Sequence, residues 1–314
     1  VDGIAVRIVP RWRAGRRIVP GAAFLGYCRM LFRTIGRVHT RTLVQRAASA
    51  ETGLVGIATR ARRRRFVYSS ANVVDFSFEK LEPSRRNRLL FRLGVRLAQR
   101  VVAQTEEQVA MCRERFGRDP VLIKSVAEPG QPAGAGEAFL WIGRLAHYKR
   151  PEELLTLAEA VPEARFWMVA VAAGGIGAEL EAPLRRRAEA LPNVEWLEPR
   201  PRPELMELMK RAVAIVNTAE YEGMPNIFLE AWARGVPALA LLHDPDGVIT
   251  RHGLGAFAAG DRAAFAAQAR ELWQHPELRT AAGERAREYI ARDHHPDRVI
   301  DHWAHVLGPP AGDR

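Results

Sequence analysis

The sequence predicts an α/β protein built from two Rossmann-like domains that face a central cleft, with a helical C-terminal tail. Three observations predict it. Short apolar strands alternate with helical stretches along nearly all of the 314 residues. That rhythm stops once, at the Gly/Pro-rich segment "AEPGQPAGAGEA" (127–138), and then restarts. From residue 262 onward only helical pattern remains. A βαβα alternation favours parallel sheets with helices on both faces.

In the first half, "GIAVRIVP" (3–10) reads as a strand and 21–38 as a helix. "TLVQRA", "RFVYSSA", "RVVAQ" and "PVLIKS" read as further strands, with helices at 51–61, 84–99 and 105–116 between them. Thr105, three residues before Gln108, fits a helix-capping pattern. In the second half the strands are "AFLWIG", "ARFWMVAV", "NVEWLE", "VAIVN" and "VPALALL". Helices are expected at 151–160, 177–190, 203–211 and 226–234. His-Pro pairs at 275–276 and 295–296 punctuate the tail. The expected division is 1–130, 131–290 and a final helix at 291–314 that packs back toward the first domain. Ligands of open α/β sheets bind at the C-terminal ends of the strands.

Composition narrows the class. An apolar fraction of 47% with 26% charged residues is ordinary for a globular protein. No run of 18 apolar residues suggests a membrane span. Two cysteines, Cys28 and Cys112, offer no disulfide framework, and they fit a reducing cytoplasm as buried or half-buried thiols. His294 and His295 lack a further ligand at metal spacing. The net charge of +11 is uneven: residues 1–130 carry +16 and the remainder −5. A basic half suits nucleic acid, anionic lipid or phosphorylated substrates. No zinc-finger, helix-turn-helix or base-stacking motif accompanies the charge, which argues against nucleic acid. Arg85, Arg88, Arg92 and Arg96 form one stripe at helical spacing, and Arg29, Arg33 and Arg37 another. Such helices suit an anionic membrane surface, and equally a solvated face.

The chemistry concentrates at two strand ends. In "GRLAHYKRP", Gly143 closes a strand, and Arg144 and Lys149 follow it in the loop. An Arg fork and a Lys point charge there could clamp a diphosphate. In "YEGMPNIFLEAW", Glu222 and Glu230 flank the turn Gly223-Met224-Pro225-Asn226. Gly223 permits close backbone approach, and the helix start at Asn226 favours anions. Glu230 can accept from a ribose diol and Glu222 from hydroxyls of a sugar. A nucleoside diphosphate sugar presents these groups in that order.

The segments "FLWIGRLAHYKRPEELLTLAEAVPEARFWMV" and "YEGMPNIFLEAWARGVPALAL" resemble the retaining glycosyltransferases of family four, whose signature is a Glu-x7-Glu spacing. The resemblance implies the GT-B fold, a nucleotide diphosphate sugar as co-substrate, no cofactor and no metal. It assigns the diphosphate to Arg144 and Lys149, the ribose to Glu230 and the donor sugar to Glu222. It also places the loop from Glu198 through Arg200 to Arg202 against the nucleobase, with Trp196 before it alternating as a strand residue of the core. Catalysis would then rest on Glu222, Arg144 and Lys149. "HDPDGVITRHGLG" (243–255) is similar to a loop common in bacterial members. Asp75, after "SSANVV", is a candidate acceptor-side residue, with a turn role as the alternative. The expected acceptor is a glycan or a lipid-linked sugar of a cell-envelope polymer, met in the cytoplasm or at the inner face of the membrane. Family members begin with a strand and a glycine-rich turn ahead of the strand that "GIAVRIVP" resembles, so the chain reads as an N-terminally truncated member. A non-catalytic binder of nucleotide sugars or anionic glycans, and a basic nucleic-acid binder, stand as alternatives.

Overall fold

The computed structural model describes residues 20–77, 82, 84–172 and 177–308. The strand expected at 3–10 lies outside them. The chain forms two compact α/β units. One takes the chain up to Ala103, then Gln108–Leu122, and again from Trp303 onward; the other takes Gln104–Glu107 and Ile123–His302.

Within the described residues the first unit has a four-stranded parallel sheet in the order β1 (Thr42–Arg46), β2 (Arg65–Ser69), β3 (Arg100–Ala103), β4 (Val121–Leu122). Helices α1 (Pro20–Arg37), α2 (Glu51–Ala61), α3 (Arg85–Leu97) and α4 (Glu106–Phe116) intervene. Ser84 caps α3, its hydroxyl accepting from the Asn87 amide at 3.4 Å. Small residues let α2 and α3 cross closely. A methyl group on Gly94 would collide with the Thr52 backbone, and one on Gly53 with the Leu90 carbonyl. Phe66, Tyr68, Phe76, Phe91, Val95 and Cys112 make the core, where Tyr68 and Phe91 meet edge-on at 5.6 Å. Burial pushes the Cys112 thiol up to about 11, so it stays protonated at neutral pH.

The second unit has six parallel strands in the order β10 (Gly255–Phe257), β9 (Ala238–Ala240), β8 (Ala212–Asn217), β5 (Ala138–Arg144), β6 (Phe166–Val171), β7 (Val194–Leu197). Two apolar clusters line it, one holding Phe228, Trp232 and Tyr289, the other Phe139, Leu154 and Phe265. β5 and β8 are central and read as continuous apolar runs, as strands covered on both faces must. The helices are α5 (Glu152–Ala160), α6 (Ala178–Glu189), α7 (Arg202–Lys210), α8 (Asn226–Trp232), α9 (Val248–His252), α10 (Arg262–Gln274), α11 (Pro276–Asp293) and α12 (Pro296–Leu307). The tail breaks into three helices at the two His-Pro pairs, because the residue before a proline is driven out of the helical region.

The units divide at Leu122/Ile123, where the sequence reading expects 130/131. The Gly/Pro segment, where the strand-helix rhythm stops, is held by backbone bonds: the amides of Ala133, Gly134 and Glu137 donate to the carbonyls of Arg234, Lys210 and Arg211 at 2.7–2.8 Å. Backbone pairing at element ends needs no apolar period, so pattern alone does not reveal it. At the far end, the carbonyls of Val306 and Leu307 in α12 each accept from the Arg65 guanidinium at 2.9 Å.

Candidate functional site

The site forms where β5 and β8 end side by side. Gly143 and Arg144 finish β5; Asn217 finishes β8 and Thr218 follows it. A methyl group on Gly143 would stand 2.8 Å from the Trp141 indole, so glycine leaves that ring its place. The Trp141 indole N–H donates to the Thr218 hydroxyl at 3.0 Å, and that hydroxyl donates to the Lys149 carbonyl at 2.7 Å. The Glu220 amide donates to the Tyr148 carbonyl at 2.8 Å, and Tyr148 stacks on Tyr221 at 5.0 Å between centroids, 11° from parallel. The loop carrying the two cations is thereby stitched to the turn carrying Glu222.

Lys149 donates to the Glu222 carboxylate, and both side chains are largely buried. The Lys149 ammonium also lies 5.5 Å from the Tyr148 ring centroid. Arg144 is exposed and reaches the Tyr148 hydroxyl at 3.3 Å. Arg150 then turns the chain in the left-handed region, at φ 48°, a conformation uncommon for non-glycine residues. Its guanidinium donates to Glu153 at 2.7 Å and Glu220 at 3.3 Å. Glu153, buried in the first turn of α5, also receives two bonds from Arg262 at 2.6 and 2.7 Å. Those bonds, led by Arg262, hold its carboxyl below the usual range despite burial.

After Glu222 the turn goes inward. Gly223, Met224 and Pro225 are buried, with Met224 in the core beside Phe228, while Asn226 is exposed at the start of α8. His243 Nε2 lies 3.2 Å from the Gly223 carbonyl. Glu230 accepts from Nε and Nη2 of Arg202 at 3.1 and 2.8 Å, both on Oε1. This fork raises the Arg202 pKa. Asp244 caps α9, accepting from the Ile249 and Thr250 amides at 2.8 and 3.1 Å.

The structure thus brings Gly143, Arg144, Lys149, Glu222, Gly223, Met224, Pro225 and Asn226 to one edge of one sheet, with Glu230 one turn into α8. Glu198 departs from that group: its carboxylate pairs with Arg185 of α6 at 3.0 Å, and Arg200 is half-buried in the same loop. Trp196 packs against the second apolar cluster under the Arg185 guanidinium. Asp75 belongs to the other unit, in the short helical turn Val73–Ser77. It is buried, and one of its oxygens accepts from the Ala71 amide at 2.6 Å and the Asn72 amide at 3.3 Å. Sequence reasoning did not single out Thr218, Tyr148 or Tyr221, although Tyr148 adjoins Lys149 and Tyr221 adjoins Glu222. It placed Arg202 at the nucleobase and not on Glu230, 28 positions away. Among the described residues no group of three or more His, Cys, Asp or Glu could hold a metal.

Two parallel-sheet α/β units followed by a helical tail make up the GT-B fold. Residues 128–289 match the sequence model of the glycosyl transferases group 1, and the chain belongs to that family. No curated protein matches it. Solved structures share its fold at low identity. Anabaena HepE in complex with UDP and glucose matches with a TM-score of 0.76 and 16% identity, over 93% of this chain and 84% of that one. Sucrose-phosphate synthase from Thermosynechococcus elongatus matches at 0.74 and 15%, over 94% and 81%. S. aureus TarM, in complex with fondaparinux, alpha-GlcNAc-glycerol and UDP, matches at 0.75 and 13%, over 90% of this chain. The chain spans 59% of the length of that TarM chain.

Proposed function

We propose that the protein transfers a sugar, with retention, from a nucleoside diphosphate sugar to a hydroxyl of a glycan or lipid-linked acceptor in cell-envelope polysaccharide or glycolipid synthesis. The observation that carries the reading is the Lys149–Glu222 pair at the end of β5, beside Arg144. In this proposal the donor diphosphate draws Lys149 and Arg144 to itself, and Glu222 is released to accept from sugar hydroxyls. Preorganised cations aimed at the leaving diphosphate would supply most of the catalysis. The same two cations are the reason to propose a reaction without a metal. Glu230 would hold the ribose, its second oxygen lying outside the Arg202 fork. HepE and TarM, solved with UDP, share the fold and support a uridine nucleotide as the first to try.

The acceptor side rests on the basic half. Leu25 and Leu89 are 70% and 67% exposed, beside the exposed Arg29, Arg85, Arg92 and Arg96 of α1 and α3. The Arg86 guanidinium lies 4.5 Å from the Phe24 ring centroid and joins the two helices. Exposed leucines among arginines suit the surface of an anionic membrane, which supports a cytoplasmic enzyme working at the inner face.

The test is thermal stabilisation by UDP-, GDP-, ADP- and dTDP-sugars, since a ligand of the native state raises Tm. One donor is expected to stabilise the wild type, and Lys149→Ala to weaken it about tenfold or more, as loss of a charge-assisted phosphate contact requires. No stabilisation by any donor, or unchanged affinity in Lys149→Ala and Arg144→Ala alike, would overturn the reading.

A further inference from the structure

The parallel sheet of the second unit has an open cavity at its other edge as well. Around the starts of its strands, at Ala212, Val213 and Pro237, lies a cavity of about 340 Å³. This is the end of the sheet opposite Arg144 and Thr218. The cavity sits between the Gly/Pro segment, the turn that follows α8 and one face of α11. Arg234, Arg279 and Arg287 line it, against a single carboxylate, Glu284.

These arginines have no carboxylate at ion-pair distance, although Glu230, Glu207 and Glu128 act on Arg234, and Glu277 on Arg279, from farther away. None of the three forms an ion pair among the described residues. Arg234 donates to the Glu230 carbonyl at 2.8 Å, and Arg279 to the carbonyls of Leu272, Trp273 and Ala135 at 2.8–3.1 Å. Both are half-buried, and burial lowers their pKa values. Carbonyl dipoles orient a guanidinium without cancelling its charge, so the cavity keeps a positive potential that an anion would relieve. Its volume suits a small molecule rather than a polymer. Guanidinium forks match phosphate oxygens in geometry, and three of them suit a dianion.

We infer that this cavity binds a phosphate monoester, held by Arg234, Arg279 and Arg287, at a site separate from the Lys149 and Glu222 edge. The inference does not rest on the donor reading, because the two edges use different residues. The ester has two sources, a free metabolite or a lipid headgroup.

Both are tested in an Arg144→Ala/Lys149→Ala background, which removes the cations of the other edge, and the flotation arm also carries Arg85→Glu/Arg92→Glu/Arg96→Glu, which removes the arginine stripe of α3. Glycerol 3-phosphate is titrated by calorimetry, and vesicles containing phosphatidic acid are assayed by flotation. Binding in the first arm indicates a soluble ester and binding in the second alone a headgroup; either supports the site if Arg287→Glu weakens it at least about tenfold. Arg287 is exposed, so its reversal leaves the fold intact. Glu284→Gln should tighten binding by removing the opposing charge, and Arg186→Glu on α6, with the same change in net charge, should leave it unaltered. Failure to bind in both arms, or equal weakening in Arg287→Glu and Arg186→Glu, would overturn the inference.

Discussion

His294 provides a test of packing that reads out as a pH dependence. It is fully buried between α11 and α12, and its Nδ1 lies 2.6 Å from the Ser125 carbonyl. Its own carbonyl accepts from the Ala127 amide at 3.0 Å. Burial dominates its titration. The Ser125 bond and Asp293 favour the cation and Lys124 opposes it, and the balance lowers the pKa to about 4. In the unfolded chain an imidazole titrates near 6.5. Between those values the unfolded chain takes up a proton that the folded chain refuses, so stability falls as pH drops through 6.5 toward 4. Above that window His294 contributes no slope; below it the loss is complete, at about 3 kcal/mol. Urea denaturation of wild type and His294→Gln at several pH values between 7.5 and 4 measures this. The variant starts less stable, so only the slopes are compared, and groups common to both chains cancel. The wild-type curve should fall toward the variant's by about 3 kcal/mol. Parallel curves would refute the argument that His294 is held neutral by burial.

Three further outcomes are expected. Gly94→Ala drives a methyl group into the Thr52 backbone where α2 crosses α3, and should cost about 1–3 kcal/mol in denaturant melts; a neutral effect would mean the helices separate freely. Glu230→Gln should weaken UDP while leaving inorganic pyrophosphate nearly unaltered, because only the ribose contact is lost; equal weakening of both in calorimetry would make the carboxylate a structural partner of Arg202. Vesicles with anionic lipid should retain the wild type at low salt, at about 1 kcal/mol per near-surface arginine. Arg85→Glu/Arg92→Glu/Arg96→Glu should release it without change in UDP binding, and a wild type that ignores such vesicles would return the stripe to a solvated face.

Much of this architecture was legible in sequence because its signals are local. Apolar runs marked β5, β6 and β8, and the prolines at 276 and 296 marked where the tail breaks. The three-residue strand β10 carries too little pattern to be read, and its place is set by pairing with β9. In the site, Lys149 and Glu222 were each legible as polar residues at strand ends, but their bond joins positions 73 apart. The Arg202 fork on Glu230 was hidden for the same reason. Asp75, named in sequence as an acceptor-side or a turn residue, has one carboxylate oxygen on the Ala71 and Asn72 amides of its own turn.

The hold of Arg65 on the carbonyls of Val306 and Leu307 has a consequence for synthesis. The two partners are about 240 residues apart in the chain. At about 5–20 residues per second, a ribosome needs on the order of ten to fifty seconds to add that stretch. During that interval β1 and β2 have emerged, yet the helix that seals them has not been made. The nascent first unit must therefore wait for the second to be translated before α12 can lock β1 and β2.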